Sequence, residues 1–235
     1  MIAAGLLLAA AGTLKILFVG NSLVYVNELP VRVAAMGRGV GAEITVASVA
    51  YPNYGLGDHW AKGDAPREIR DGAYDVVVLQ QGPTSQYESR KDLLYQSYRF
   101  AKLIREHGGR PAVMMSWPDK TRAQDWDRVL VNHRDAADAV KAVVLPVGAA
   151  WRTALARDAS IGLYGPDGFH PSPLGSDLAA LVIASALLER PPSDFPLPGV
   201  PEPAAQALRD AATEALRAFP SRGAPSPSPP SPPAR

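Results

Sequence analysis

Two short blocks of this sequence carry residue types that could combine nucleophilic and acid–base chemistry. The first is Gly20-Asn21-Ser22-Leu23, placed directly after the apolar run of residues 14–19. A serine there has its hydroxyl held at the carboxyl end of a strand, where neighbouring backbone N–H groups could stabilise an anion. Standing alone, such a serine is as well explained as a helix cap or a turn closer. The second block is Asp167-Gly168-Phe169-His170-Pro171, bracketed by glycine and proline and followed by a long apolar stretch. An aspartate and a histidine three residues apart in a rigid turn let the carboxylate reach one imidazole nitrogen, fix the tautomer and stabilise the imidazolium. The other nitrogen can then take the proton of a serine hydroxyl.

The elements that must bring these blocks together are legible as alternating runs. Strands are predicted over residues 14–19, 44–49, 75–80, 112–117 and 143–147, each apolar and bounded by turn residues. Between them, residues 30–39 read as a helix, with Asn27 as a candidate cap. A second helical spacing runs through Leu94, Tyr98, Ala101 and Ile104 to Gly108-Gly109, and a third through Trp126, Val129, Leu130 and Ala137. Helices over 149–157, 174–188 and 202–218 follow, the second apolar nearly all round and therefore buried. Strands alternating with helices imply a parallel sheet covered on both faces. Ligand sites in such sheets form beyond the carboxyl ends of the strands, where both blocks fall.

With these blocks in place, residues 16–175 resemble the SGNH hydrolase superfamily, the GDSL-type esterases and lipases. There the serine block reads Gly-Asp-Ser-Leu or Gly-Asn-Ser-Leu, and an Asp-x-x-His-Pro block supplies the other two members of a triad. The resemblance implies an α/β, flavodoxin-like three-layer α/β/α sandwich with a five-stranded parallel sheet. It implies Ser22 as nucleophile, His170 as general base and Asp167 as its orienting partner, working without a metal or other cofactor. The family's second block offers a backbone N–H to the oxyanion hole from a glycine; here Asn53 falls at that position and Gly55 two residues later. The third block normally supplies an asparagine amide. Thr84 occupies its register, but a glutamine amide is the closer chemical substitute, so Gln80 or Gln81 is favoured with Thr84 behind them. The competing reading is that these glutamines only close the strand end. Trp117 ends the fourth predicted strand and could form an apolar wall, a sugar-stacking face or core filling.

Composition narrows the classes further. With 235 residues, 47% of them apolar, the chain suits one ample core, expected over residues 13–219. The 24 basic and 23 acidic side chains nearly cancel, leaving no basic footprint for a nucleic-acid partner. The absence of cysteine excludes disulfides, thiolate metal sites, a cysteine nucleophile and a lipobox-type anchor. Residues 1–12 resemble the apolar region of a secretory signal, too short to span a bilayer, so export without a stable membrane anchor is expected; the other reading is a short N-terminal helix or frayed tail on a cytoplasmic protein. Residues 220–235 form a Pro/Ser-rich tail.

Asp58-His59 with Asp167-His170 could instead form an oxygen/nitrogen metal site. His59 and Trp60 could line a pocket or pack at the surface. His107 is expected at a helix C-terminus and His133 solvated among charges. The functional expectation is hydrolysis of small acyl or O-acetyl esters, on a small-molecule or carbohydrate substrate, through an acyl-enzyme. The irregular middle blocks motivate an alternative, an inactive glycan- or anion-binding protein of the same fold. A lyase or transferase using the same triad is a third option.

Overall fold

Successive residues of a strand face opposite sides of a sheet, and here both sides are apolar. A computed structural model describes residues 12–220. Its strands are β1 (Leu14–Gly20), β2 (Ile44–Ala50), β3 (Val76–Gln80), β4 (Arg110–Met114) and β5 (Val143–Leu145). They pair in the order β2-β1-β3-β4-β5, every pair parallel. Ile16 and Phe18 of β1, with Val76 and Val78 of β3, point into a core formed with α2 (Leu29–Gly39), α7 (Val147–Arg157), α8 (Pro173–Leu188) and α9 (Glu202–Ala218). Leu17, Val19, Val77 and Leu79 point the other way, against α3 (Leu56–Lys62), α4 (Asp64–Asp71) and α5 (Tyr87–Glu106). Helix α6 (Trp126–Ala139) contributes side chains to both cores. The result is the expected three-layer α/β/α sandwich.

The buried helix α8 shows how local signals serve the packing. Ser172 caps it by accepting from the Gly175 N–H at 3.0 Å, and Pro173 begins it where no N–H is needed. Its apolar circumference is used on every side, because α2, α7 and α9 all pack against it.

Several expectations need correction. The fourth and fifth strands end earlier than predicted. At residue 115 the chain leaves the ladder, Ser116 Oγ donates to the Gln81 carbonyl, and Trp117 turns inward. Helices α3 and α4 and the four-residue α1 (Ser22–Tyr25) were not predicted. Asn27 does not cap α2; Glu28 holds that position without a side-chain bond. His133 is fully buried rather than solvated, its Nδ1 donating to the Val129 carbonyl at 2.8 Å. It shares the inward phase of α6 with Val129, Ala136 and Ala137, which outweighs its charged neighbours in sequence. His107 does close the C-terminus of α5. The signal-like run through residue 11 and the tail from residue 221 lie outside the described residues. Among those residues no helix is long and apolar enough to cross a membrane.

Trp117 and Trp151 stack at 3.9 Å between ring centroids and 9° between planes, both fully buried. Trp151→Ala therefore removes a large side chain from a site that close packing on both sides keeps from collapsing. The expected loss is about 3–5 kcal/mol, read as a lower denaturant midpoint at unchanged slope. A loss under about 1 kcal/mol would mean that this stack is not part of the rigid core.

Candidate active site

The corner after β1 is built by close approach. A Cβ on Gly20 would lie 2.3 Å from Gln80 Oε1 and 2.7 Å from Val24, so only glycine fits. Gln80 Oε1 accepts from the Asn21 N–H at 2.8 Å. The Asn21 side chain accepts from the Leu23 N–H at 3.1 Å, capping α1, and donates to the Tyr54 carbonyl at 3.1 Å. Below the corner, the Gly20 carbonyl accepts from Tyr51 N–H at 3.1 Å and from His59 Nε2 at 2.7 Å. A carbonyl can only accept, so His59 Nε2 carries the hydrogen. Burial lowers the His59 pKa, outweighing the Gly20 carbonyl and the nearby Asp58 and Asp64 carboxylates that raise it. His59 is thus a neutral prop, and its buried Nδ1 has no partner among the described residues.

The second block is anchored as firmly. Gly168 takes φ 74°, the left-handed region that suits glycine. The Gly165 N–H donates to the His170 carbonyl at 2.7 Å, and the Lys120 N–H to the Gly168 carbonyl at 2.9 Å. Trp117 Nε1 donates to the Phe169 carbonyl at 3.0 Å. Within the turn, Asp167 Oδ1 accepts from the Phe169 and His170 N–H groups at 3.0 and 2.9 Å. Its Oδ2 lies 2.5 Å from His170 Nδ1. That imidazole bond first, and the two backbone donors next, hold the Asp167 pKa down at about 2.

The two blocks meet. His170 Nε2 stands 2.9 Å from Ser22 Oγ. Because Asp167 is ionised and can only accept, the neutral imidazole carries its hydrogen on Nδ1 and presents a bare Nε2. Nε2 is therefore the acceptor for the Ser22 hydroxyl, giving a carboxylate–imidazole–hydroxyl chain. The serine opens onto a cleft of about 340 Å³ whose lining includes Asn53, Gln81, Thr84 and Phe169. A groove of about 430 Å³ between the ends of α5 and α6 contains none of these residues and borders the opposite edge of the sheet.

The remaining expected site residues separate by what their polar atoms already do. Ser22 N–H lies in the first turn of α1, where helix geometry supplies no partner. Asn53, at φ 61°, lines the cleft, and among the described residues nothing accepts from its N–H. Gly55 also lines the cleft, but its N–H donates to Asp58 Oδ2 at 2.8 Å. Gln80 is fully buried beneath the corner and does not line the cleft, so it cannot reach a substrate; its Nε2 has no partner among the described residues. Gln81 lines the cleft; the Leu56 N–H donates to its Oε1 at 3.1 Å, which leaves the amide N–H groups as the free end. Thr84 lines the cleft too, but its hydroxyl donates to the Gly82 carbonyl at 3.0 Å. Trp117 does not line the cleft: it is core, joined to the histidine block through the Phe169 carbonyl. Asp58 caps α3 and His59 lies under the corner, so neither joins Asp167 and His170, and no metal-like cluster forms among the described residues.

The sequence reading missed the bridging roles of Asn21 and His59. Only the adjacency of Asn21 to Ser22 hinted at the first, and nothing local at the second.

The sequence matches no protein-family model and no curated protein. Solved structures are similar in shape. A DUF4886 family protein from Bacteroides uniformis superposes with TM-score 0.73 at 19% identity, covering 89% of this chain and 96% of that one. A protein from Slackia heliotrinireducens assigned to the SGNH hydrolases gives 0.60 at 26% identity, over 74% of this chain and 99% of its own. An acetylxylan esterase from Geobacillus stearothermophilus gives 0.56 at 16% identity, over 75% and 93%. The fold of this chain is that of the SGNH hydrolases, as the Gly-Asn-Ser-Leu and Asp-Gly-Phe-His-Pro blocks implied.

Proposed function

We propose that this chain is a serine esterase that cleaves small acyl or O-acetyl esters, with Ser22 as nucleophile, His170 as general base and Asp167 as its orienting carboxylate. The observation that carries the reading is the 2.9 Å approach of a bare His170 Nε2 to Ser22 Oγ, with Asp167 on the other nitrogen. His170 takes the hydroxyl proton as Ser22 Oγ attacks the ester carbonyl. The oxyanion is met by the Ser22 N–H, the Asn53 N–H and the Gln81 amide, three candidate donors that other bonds among the described residues leave free. The imidazolium protonates the departing alcohol, and water repeats the sequence on the acyl-enzyme. The shallow, partly polar cleft suits a short acyl group on a small or carbohydrate alcohol, in keeping with the acetylxylan esterase among the structural neighbours. Export, suggested by residues 1–12, would bring such an enzyme to polymeric substrates.

Hydrolysis of p-nitrophenyl acetate tests the reading. Ser22→Ala and His170→Ala should each lower kcat at least ~1,000-fold. Turnover that survives Ser22→Ala would refute it, and an inert wild type that still bound oligosaccharide would favour a binding protein. Gln81→Ala should lower kcat about 100-fold, the usual effect of losing one oxyanion donor; an unchanged kcat would remove Gln81 from the hole.

The pH dependence has a definite sign. The Asp167 carboxyl, held at about 2 against an ordinary 3.8, stays ionised in any neutral or mildly acid buffer. What that depression adds to stability is present above pH ~4 and is lost only as pH falls toward 2. Activity, in contrast, should fall in acid once the proposed imidazole base takes up a proton, with the circular dichroism unchanged. A rate flat from pH 8 to pH 5 would argue against an imidazole base.

A further inference from the structure

The segment between the serine helix and α2 is held in an unusual backbone conformation. Asn27 has φ 53° and ψ 23°, and Glu28 has φ 56° and ψ 46°, two consecutive non-glycine residues in the left-handed region. L-residues avoid that region, and asparagine is among the few that tolerate it. A helix start does not require it, since Asn27 makes no capping bond. What the conformation achieves is to aim the Asn27 amide across the sheet edge. Its Nδ2 donates to the Pro171 carbonyl at 2.9 Å and to Ser176 Oγ at 3.0 Å, spending both amide hydrogens. Arg32 Nε donates to the Asn27 carbonyl at 2.7 Å, and Arg32 also pairs with Asp177, one residue beyond Ser176.

Pro171 follows His170 directly, and Asn27 lies five residues after Ser22 on the same short turn of chain. The other anchors of the histidine block run elsewhere: Trp117 ties it to the end of β4, and Lys120 to the segment after it. Apart from the Ser22–His170 bond itself and the Arg32–Asp177 pair, the hydrogen bonds that join the serine segment to the histidine segment among the described residues are those of Asn27.

We infer that Asn27 is a positioning residue that sets the separation and alignment of Ser22 Oγ and His170 Nε2 by clamping the two segments together; this rests on the triad reading above. Asn27 does not line the cleft, so its effect falls on the chemistry rather than on substrate capture. Misplacement of reacting groups by about 1 Å can cost ~100-fold in rate.

The test uses two variants that remove the same amide donor in different ways. Asn27→Gly keeps the left-handed backbone at no steric cost and removes the clamp. Asn27→Asp keeps the size but cannot donate to the Pro171 carbonyl. Each is assayed with p-nitrophenyl acetate, by thermal melting, and by titration of Ser22 with a fluorophosphonate probe. For both, kcat per titrated site should fall ~10-fold or more while KM stays within about twofold. Asn27→Gly relieves the left-handed strain but also removes two hydrogen bonds, so its rate is counted per titrated Ser22, which leaves unfolded protein out of the comparison. Full labelling stoichiometry with slower labelling is the signature of misalignment; a purely structural role would lower the labelled fraction and leave the rate per site unchanged. If Asn27→Gly holds kcat per site within twofold of the wild type, the clamp is overturned while the esterase reading stands. A wild type that neither turns over nor labels would sink the esterase reading and the clamp with it.

Discussion

The 2.9 Å contact between Ser22 Oγ and His170 Nε2 joins residues 148 positions apart, and the rest of the architecture can be understood as what makes that contact possible. One hydrogen bond contributes only ~1 kcal/mol net, far less than the entropy lost in closing and ordering so much chain. The approach must therefore be set by other forces. The parallel sheet supplies them on the serine side, since β1 pairs along its length with β2 and over residues 16–19 with β3. The packing of α2 on α8 supplies them on the histidine side, since α8 begins two residues after Pro171. The two segments are delivered to one edge by buried apolar surface, and polar contacts then make the final adjustment.

Those polar contacts divide by charge and depth. The charged group, Asp167, has a side chain about half exposed and is satisfied by an imidazole and two backbone N–H donors. Ionisation there carries little desolvation cost. The groups placed deep, Gln80 and His59, are neutral. They hold the Asn21 N–H and the Gly20 carbonyl on either side of the bend that presents Ser22. A buried charge at either position would need a partner that the apolar strands cannot offer. Neutral amide and imidazole dipoles can shape the corner without that demand.

What could be read from the sequence followed from what is local. The strands were legible because each is a short β-branched or aliphatic run, and α9 was legible to the residue because its apolar spacing is bounded by Pro201 and Phe219. Helix α4 was not: its buried side is only Ala65, Pro66 and Ile69 among five charged residues, too thin a stripe to register. The candidate triad residues could be named because Asp167 and His170 are near neighbours in sequence and Ser22 follows directly on the end of β1. For Trp117 the choice between cleft wall and core stayed open in the sequence because its stacking partner, Trp151, lies on another element, and a strand-end tryptophan gives no sign of which way it turns. For His133 the inward phase of α6 was present in the sequence, but its charged neighbours were given more weight than the periodicity.

The paired glutamines show where a sequence pattern runs out and geometry takes over. Gln80 and Gln81 are chemically identical and adjacent, so residue type cannot divide their work. The pleat can. Gln80 is the last residue of β3, in register with Met114 of β4, and its side chain falls under the Gly20 corner, where a missing Cβ leaves room for it. Gln81 is the first residue beyond the ladder, and its side chain emerges on the other side, against the start of α3 and over the cleft. One amide thus braces the turn that carries the hydroxyl, and the next presents its N–H groups to the cleft. A one-residue shift in where β3 leaves the sheet would exchange those two environments, so the strand's exact end determines which glutamine could take part in chemistry.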